Sequence, residues 1–104
     1  MDKQIVIERV KQYADLVRQN FNVRKVILYG SYAKGTAREN ESDIDVAIIL
    51  DRLDDDLLMS EAKLFRLRRN IDIRIEPILL EESDDKTGFL DEIMKTGEII
   101  YNAG

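Results

Sequence analysis

LYGSYAKGTARENESDIDVAIIL, from Leu28 to Leu50, is the stretch on which the reading of this chain turns. Val26-Ile27-Leu28-Tyr29, a β-branched and aromatic run, reads as a strand that Gly30 ends. Ser31 is a good N-cap, which predicts a short helix or helical turn from Ser31 to about Ala37, weakened at its far end by Gly35. ARENES at 37–42 is a polar loop. Asp43 to Leu50 is a second strand, entered through two acids and ending in the apolar run Val46-Ala47-Ile48-Ile49-Leu50. Such a run belongs to an interior strand covered on both faces.

On the N-terminal side, Val6, Val10, Tyr13, Ala14, Val17 and Phe21 recur three and four residues apart. They make one stripe of an amphipathic helix from about Lys3 to Asn20, suited to packing on a sheet. On the C-terminal side, the acidic segment Asp51 to Asp56 leads into a helix from about Asp54 to Arg69, with Leu57, Leu58, Ala62, Leu64 and Phe65 inward. Arg66, Arg68 and Arg69 complement the dipole at its end. Ile71 to Glu76 alternates apolar and charged strictly, which predicts a third strand with Asp72, Arg74 and Glu76 on one face. Pro77 marks that strand as an edge or a bulge. Glu81 to Thr87 is a polar connection and Gly88 to Lys95 a short helix with Gly97 as its C-cap; Ile99 to Tyr101 is a last strand. The order α-β-α-β-α-β-α-β implies an α/β (α+β) fold, a small mixed sheet with helices packed on it.

The chemistry concentrates at the strand starts. Asp43 and Asp45 leave the same strand face roughly 6–7 Å apart, and their mutual repulsion calls for a cation between them. With only oxygen ligands on offer, Mg²⁺ or Mn²⁺ suits the pair. Asp72, if its strand lies beside that of Asp43, completes the three-carboxylate set of a two-metal phosphoryl-transfer centre, and Glu76 is the alternative on the same face. Gly30-Ser31 stands where a strand meets a helix. There the backbone N–H groups and the Ser31 hydroxyl can hold a phosphate, with Lys34 one turn later reaching the same anion. Each piece also has a plain structural reading: a turn, a solvated loop edge, an exposed sheet face laced by ion pairs. The order in which they occur is what places them together.

Composition narrows the rest. One hundred and four residues with 44% hydrophobic content suit one compact domain spanning 1–104. The sequence has neither cysteine nor histidine. Disulfides, thiolate or imidazole zinc sites and histidine-based catalysis are therefore excluded, leaving carboxylates as ligands and proton acceptors. Net charge is −5 with acids and bases interspersed, which argues against a broad nucleic-acid footprint. The absence of an apolar block of signal or membrane length makes a cytoplasmic protein the expectation.

GSYAKG at 30–35 followed by SDIDVAI at 42–48 resembles the nucleotidyltransferase superfamily of DNA polymerase beta, most closely its minimal members, the MNT proteins. The resemblance covers the central half of the chain and implies a polymerase beta-like nucleotidyltransferase fold. By position it implies that Gly30 and Ser31 hold the β and γ phosphates of an NTP, that Lys34 contacts phosphate, and that Asp43 and Asp45 bind Mg²⁺. RRNIDIRIEP is similar to the family strand bearing the third aspartate, which puts that role on Asp72, with Glu76 of Ile-Glu-Pro as the alternative. It further implies transfer of a nucleotide, AMP from ATP, to an acceptor hydroxyl on a helical HEPN-type partner in a toxin–antitoxin pair, with no templated nucleic acid. The bareness of the chain leaves room for a partner, or a second copy, to complete the pocket. The rival expectation is an interaction module that acts by binding alone.

Overall fold

The computed structural model describes residues 3–35, 43–53, 55–85 and 87–103. Four strands, β1 (Val23–Tyr29), β2 (Ile44–Leu50), β3 (Ile75–Glu81) and β4 (Glu98–Asn102), form one sheet in the order β3-β2-β1-β4. β2 is interior, as its apolar run predicts, antiparallel to β1 and parallel to β3. The parallel pair requires a crossover, and helix α3 (Leu57–Leu67) supplies it.

Strand alternation divides the core between the two faces of the sheet. Val26, Leu28, Ile44, Val46, Ile48, Leu50 and Ile75 face helix α1 (Lys3–Arg18), which buries the expected stripe Val6, Val10, Tyr13, Ala14 and Val17, and Leu64 of α3. The Tyr13 hydroxyl donates to the Leu64 carbonyl at 2.7 Å and ties the two helices together inside that layer. On the opposite face Ile27, Ala47 and Ile49 lie under Leu90 and Ile93 of helix α4 (Phe89–Thr96). This layer is the smaller of the two.

Several local expectations are corrected. Helix α2 runs only from Ser31 to Lys34, with Gly30 rather than Ser31 at the N-cap position and Gly35 closing it in the left-handed conformation. The expected loop 37–42 and the far end of the expected helix at 36–37 lie outside the described residues. Helix α3 begins at Leu57 because Asp56 caps it, accepting from the Met59 N–H at 3.0 Å. Its inward stripe is therefore Ser60, Leu64 and Leu67, while Leu57 and Leu58, expected inside, are 51% and 77% exposed.

The largest correction concerns Ile71 to Glu76. Strand β3 begins only at Ile75. A 3₁₀ turn at Arg68–Asn70 precedes it, and the N–H groups of Ile71 and Asp72 both donate to the Arg68 carbonyl, each at 2.9 Å. The Asp72 carboxylate then accepts from its own neighbour's backbone, Arg74 N–H, at 2.9 Å. Such an Asx turn competes with the sheet ladder, so period-two alternation here decorates a turn and not a strand. Pro77 does lie in an edge strand, as expected. Asp85, inside the connection expected to be a polar loop, caps α4 by accepting from Leu90 and Asp91 N–H at 3.0 and 3.1 Å.

Gly97 pins the end of α4 to β1. A Cβ there would stand 2.6 Å from the Ile93 carbonyl oxygen, 2.7 Å from Ile27 Cγ2 and 2.8 Å from the Leu28 oxygen. Gly97→Ala is expected to lower unfolding stability by about 1–3 kcal/mol through overpacking. Gly35→Ala, with open space around the Cβ but a φ of +75°, is expected to cost about 1–2 kcal/mol from backbone conformation alone. Urea denaturation of the two variants measures both.

Candidate active site

At one end of the sheet β1 finishes and β2 and β3 begin. Tyr29 pairs with Asp45 across the antiparallel ladder, and Asp45 pairs with Glu76 across the parallel one. All three continue the rows of Ile27, of Ala47 and Ile49, and of Ile78 and Leu80, so their side chains share the face that carries α4. The Tyr29 ring meets Phe89, the first residue of α4, edge-on at 5.6 Å.

Asp45 is half-buried here, and its carboxyl is raised above the usual range, first by burial, then by the charges of Asp43 and Glu76. Gly30 explains how it is positioned. With φ 74° and ψ −149° the glycine adopts a backbone conformation that residues with a Cβ avoid, and a Cβ at this position would run into the Asp45 carboxylate. The chain thus passes directly over Asp45 before turning into α2, bringing Ser31, half-buried, to the first helical position. Lys34 is exposed at the other end of this single turn.

Sequence reasoning missed Tyr29. Burial, Asp45 and Glu76, in that order, push its phenol up to about 12, so it stays protonated and neutral beside the carboxylates. The signal was present in its parity: it directly precedes Gly30 and alternates with Leu28, a buried residue of the opposite face. The sequence shows Arg68 only as a charge complementing a helix end. Its Nη1 donates to the Ile75 carbonyl at 2.8 Å and to Glu76 Oε1 at 3.3 Å, tethering the start of β3.

The structure does not bring Asp72 to this group. Its side chain, 5% exposed, accepts from Arg9 Nη1 at 2.7 Å, from Arg74 Nη2 at 2.8 Å and from Arg74 Nε at 3.1 Å. Burial alone would raise the Asp72 carboxyl, but these hydrogen bonds and the cationic neighbours outweigh it and hold the group well below its ordinary range. Arg74 also lies against the Tyr32 phenol of α2. Asp72 therefore joins α1 to the turn before β3, with α2 nearby, and Glu76 is the carboxylate that lies across from Asp45. Among the described residues no three carboxylates converge tightly enough, as they stand, to hold a metal ion. The donor chemistry of Asp43, Asp45 and Glu76 nevertheless suits a hard divalent cation, which would offset the like charges around Asp45.

Asp45 and Glu76 thus stand at adjacent strand starts, under a glycine that leads into a helix, within an α/β fold. The chain belongs to the family described as Polymerase beta, Nucleotidyltransferase, which it matches over residues 11–103. No curated protein matches it closely. Among solved structures it is similar to a proposed nucleotidyltransferase from Sulfolobus solfataricus, with 20% identity, a TM-score of 0.71, and coverage of 97% of this chain and 84% of that one. It is also similar to a chain in the complex of tri-AMPylated Shewanella oneidensis HEPN toxin with MNT antitoxin (18% identity, TM-score 0.63, 98% and 74% coverage). A further likeness is to a mutant of the toxin–antitoxin MntA–HpeT (15% identity, TM-score 0.64, 99% and 75% coverage). Among the described residues no helix is long and apolar enough to cross a membrane.

Two outcomes follow from this geometry. Gly30→Ala is expected to displace the Asp45 carboxylate and to cost about 1–3 kcal/mol in backbone strain, checked by chemical denaturation and by the NMR shift of the Asp45 carboxyl carbon. Asp72→Asn is expected to lose about 1.5–3 kcal/mol at neutral pH, the scale of hydrogen bonds to a charged group. Because the folded carboxyl titrates below the unfolded one, that stability is present above about pH 4 and disappears as pH falls further. Unfolding curves of the variant and the parent should converge in acid.

Proposed function

We propose that the protein is a Mg²⁺-dependent nucleotidyltransferase that moves AMP from ATP to a hydroxyl group on a HEPN-type partner protein. The observation that carries this reading is the placement of Asp45 across from Glu76, beneath the backbone of Gly30, in a chain of the polymerase beta nucleotidyltransferase family. The partner is supported by fold likeness to the Shewanella oneidensis antitoxin complex, whose toxin carries three AMP groups.

In this reading Asp43 and Asp45 hold the metal, and Glu76 takes the third position for which Asp72 and Glu76 were the candidates. Bound Mg²⁺ would neutralise triphosphate charge and make the acceptor hydroxyl more acidic. Backbone N–H groups after Gly30 and the Ser31 hydroxyl hold the β and γ phosphates, with Lys34 adding a cation at the exposed end of α2. Glu76 accepts the proton as the acceptor oxygen bonds to the α phosphorus and the bond to departing pyrophosphate breaks. Arg68 keeps Glu76 at the strand start and balances its charge. Tyr29 stays protonated and bounds the site on the α4 side without competing for that proton.

A second reading, a module that neutralises its partner by binding alone, is favoured by the looseness of the carboxylate group among the described residues. Transfer of label from α-labelled ATP to the co-purified partner separates the two. Asp43→Asn and Asp45→Asn are expected to abolish transfer, and Glu76→Gln to slow it by about 10²–10⁴-fold. Asp72→Asn should keep its rate per folded molecule despite lower stability. Undiminished transfer in Asp43→Asn and Asp45→Asn would refute the enzyme reading. Loss in Asp72→Asn with retention in Glu76→Gln would return the third position to Asp72.

A further inference from the structure

A groove of about 490 Å³ is lined by Ala62, Phe65, Arg66, Arg68, Arg69 and Ile73, from α3, the 3₁₀ turn and the turn before β3. Three of its six residues are arginines, in a protein whose net charge is −5. Arg68 links the groove to the candidate active site: it lines the groove, and its Nη1 donates to Glu76. Ile73 is 70% exposed in the turn before β3, an apolar contact standing between cations.

We propose that this groove docks an acidic segment of the acceptor protein, with an apolar side chain of that segment on Ile73 and Ala62 and its carboxylates on Arg66 and Arg69. The inference rests on the transferase reading, to which it adds the chemistry of the acceptor. Charge complementarity favours an acidic occupant: the basic groove is a local exception on an acidic protein, so it attracts acidic segments that the rest of the surface repels. Nucleic acid fits less well. One face of Phe65, the groove's aromatic ring, is covered by the Arg68 guanidinium, 4.8 Å from the ring centroid, which reduces the surface on which a base could stack. Arg68 is in turn held by Ile75 and Glu76, leaving the exposed Arg66 and Arg69 as the groups that meet the incoming chain. Pro77 removes one backbone N–H from the β3 edge, which disfavours docking by strand addition and leaves side-chain recognition. An acceptor held here would be next to Arg68, the residue that also contacts Glu76.

The test uses the full chain and two fluorescein-labelled probes, an octapeptide of Asp and Glu flanking a central Leu, and octauridylate, read by anisotropy at low and raised salt. Mg²⁺–ATP binding is measured in parallel by calorimetry. The expected result is peptide binding that weakens with salt and falls at least about tenfold in Arg66→Glu/Arg69→Glu and again in Ile73→Asp. All three substituted positions are exposed, so the fold and Mg²⁺–ATP binding should persist in these variants. Absence of peptide binding, binding indifferent to these substitutions, or tighter binding of octauridylate lost with the same substitutions would overturn the docking proposal while leaving the transferase reading intact. Peptide binding that responds as expected, in a protein that does not bind Mg²⁺–ATP, would support the groove and overturn the transferase reading.

Discussion

Asp45 keeps a half-buried carboxylate between Asp43 and Glu76, under a glycine backbone that leaves no room for a side chain. Every element that holds this arrangement is drawn from a different part of the chain. β1 must end at Tyr29 for Gly30 to turn over Asp45, and β2 must run antiparallel to it in register. β3 must lie parallel on the other side for Glu76 to stand opposite. A charge opposed by its surroundings persists only where packing elsewhere over-determines its position. Here that packing is the apolar continuation of β2, buried on both faces within five residues of the acid.

The two aspartates at 45 and 72 show how environment assigns different roles to the same side chain. Asp45 is raised because burial and like charges act together. Asp72 is more deeply buried, yet it is lowered, because Arg9 and Arg74 direct hydrogen bonds at its oxygens. A carboxylate so fully engaged by guanidinium groups has its lone pairs occupied and its charge balanced, and it serves as a link between α1 and the turn before β3. Glu76, by contrast, is 43% exposed and among the described residues has one longer contact, to Arg68.

Asymmetry between the two faces of the sheet connects this site to its surroundings. α1 and α3 cover one face with the larger core, while α4 packs on the other with the smaller, and Asp45 and Glu76 share the face that carries α4. Arg68 stands at the junction, with its guanidinium shared between Phe65, the Ile75 carbonyl and Glu76. The basic groove and the acidic strand starts are thus neighbours by construction, since the 3₁₀ turn that ends α3 is also the entry to β3.

Much of this was legible locally. The stripe of α1, the doubly buried run of β2, the breaks at Gly30 and Gly97 and the pairing of Asp43 with Asp45 depend on residues close in sequence, where periodicity and steric limits act directly. The same alternation misled at Ile71 to Glu76, because a charged–apolar repeat is compatible with a strand and with a capped turn alike. The choice was made by Arg9, sixty-three positions from its partner Asp72, and by the ladder that pairs Glu76 with Asp45. The sequence by itself determined which elements form and where acids and glycines are concentrated. That Glu76 stands across from Asp45 while Asp72 pairs with Arg9 was decided only by the tertiary structure, because cross-strand register and a long-range ion pair exist only once β3 has docked beside β2 and α1 has packed against the sheet.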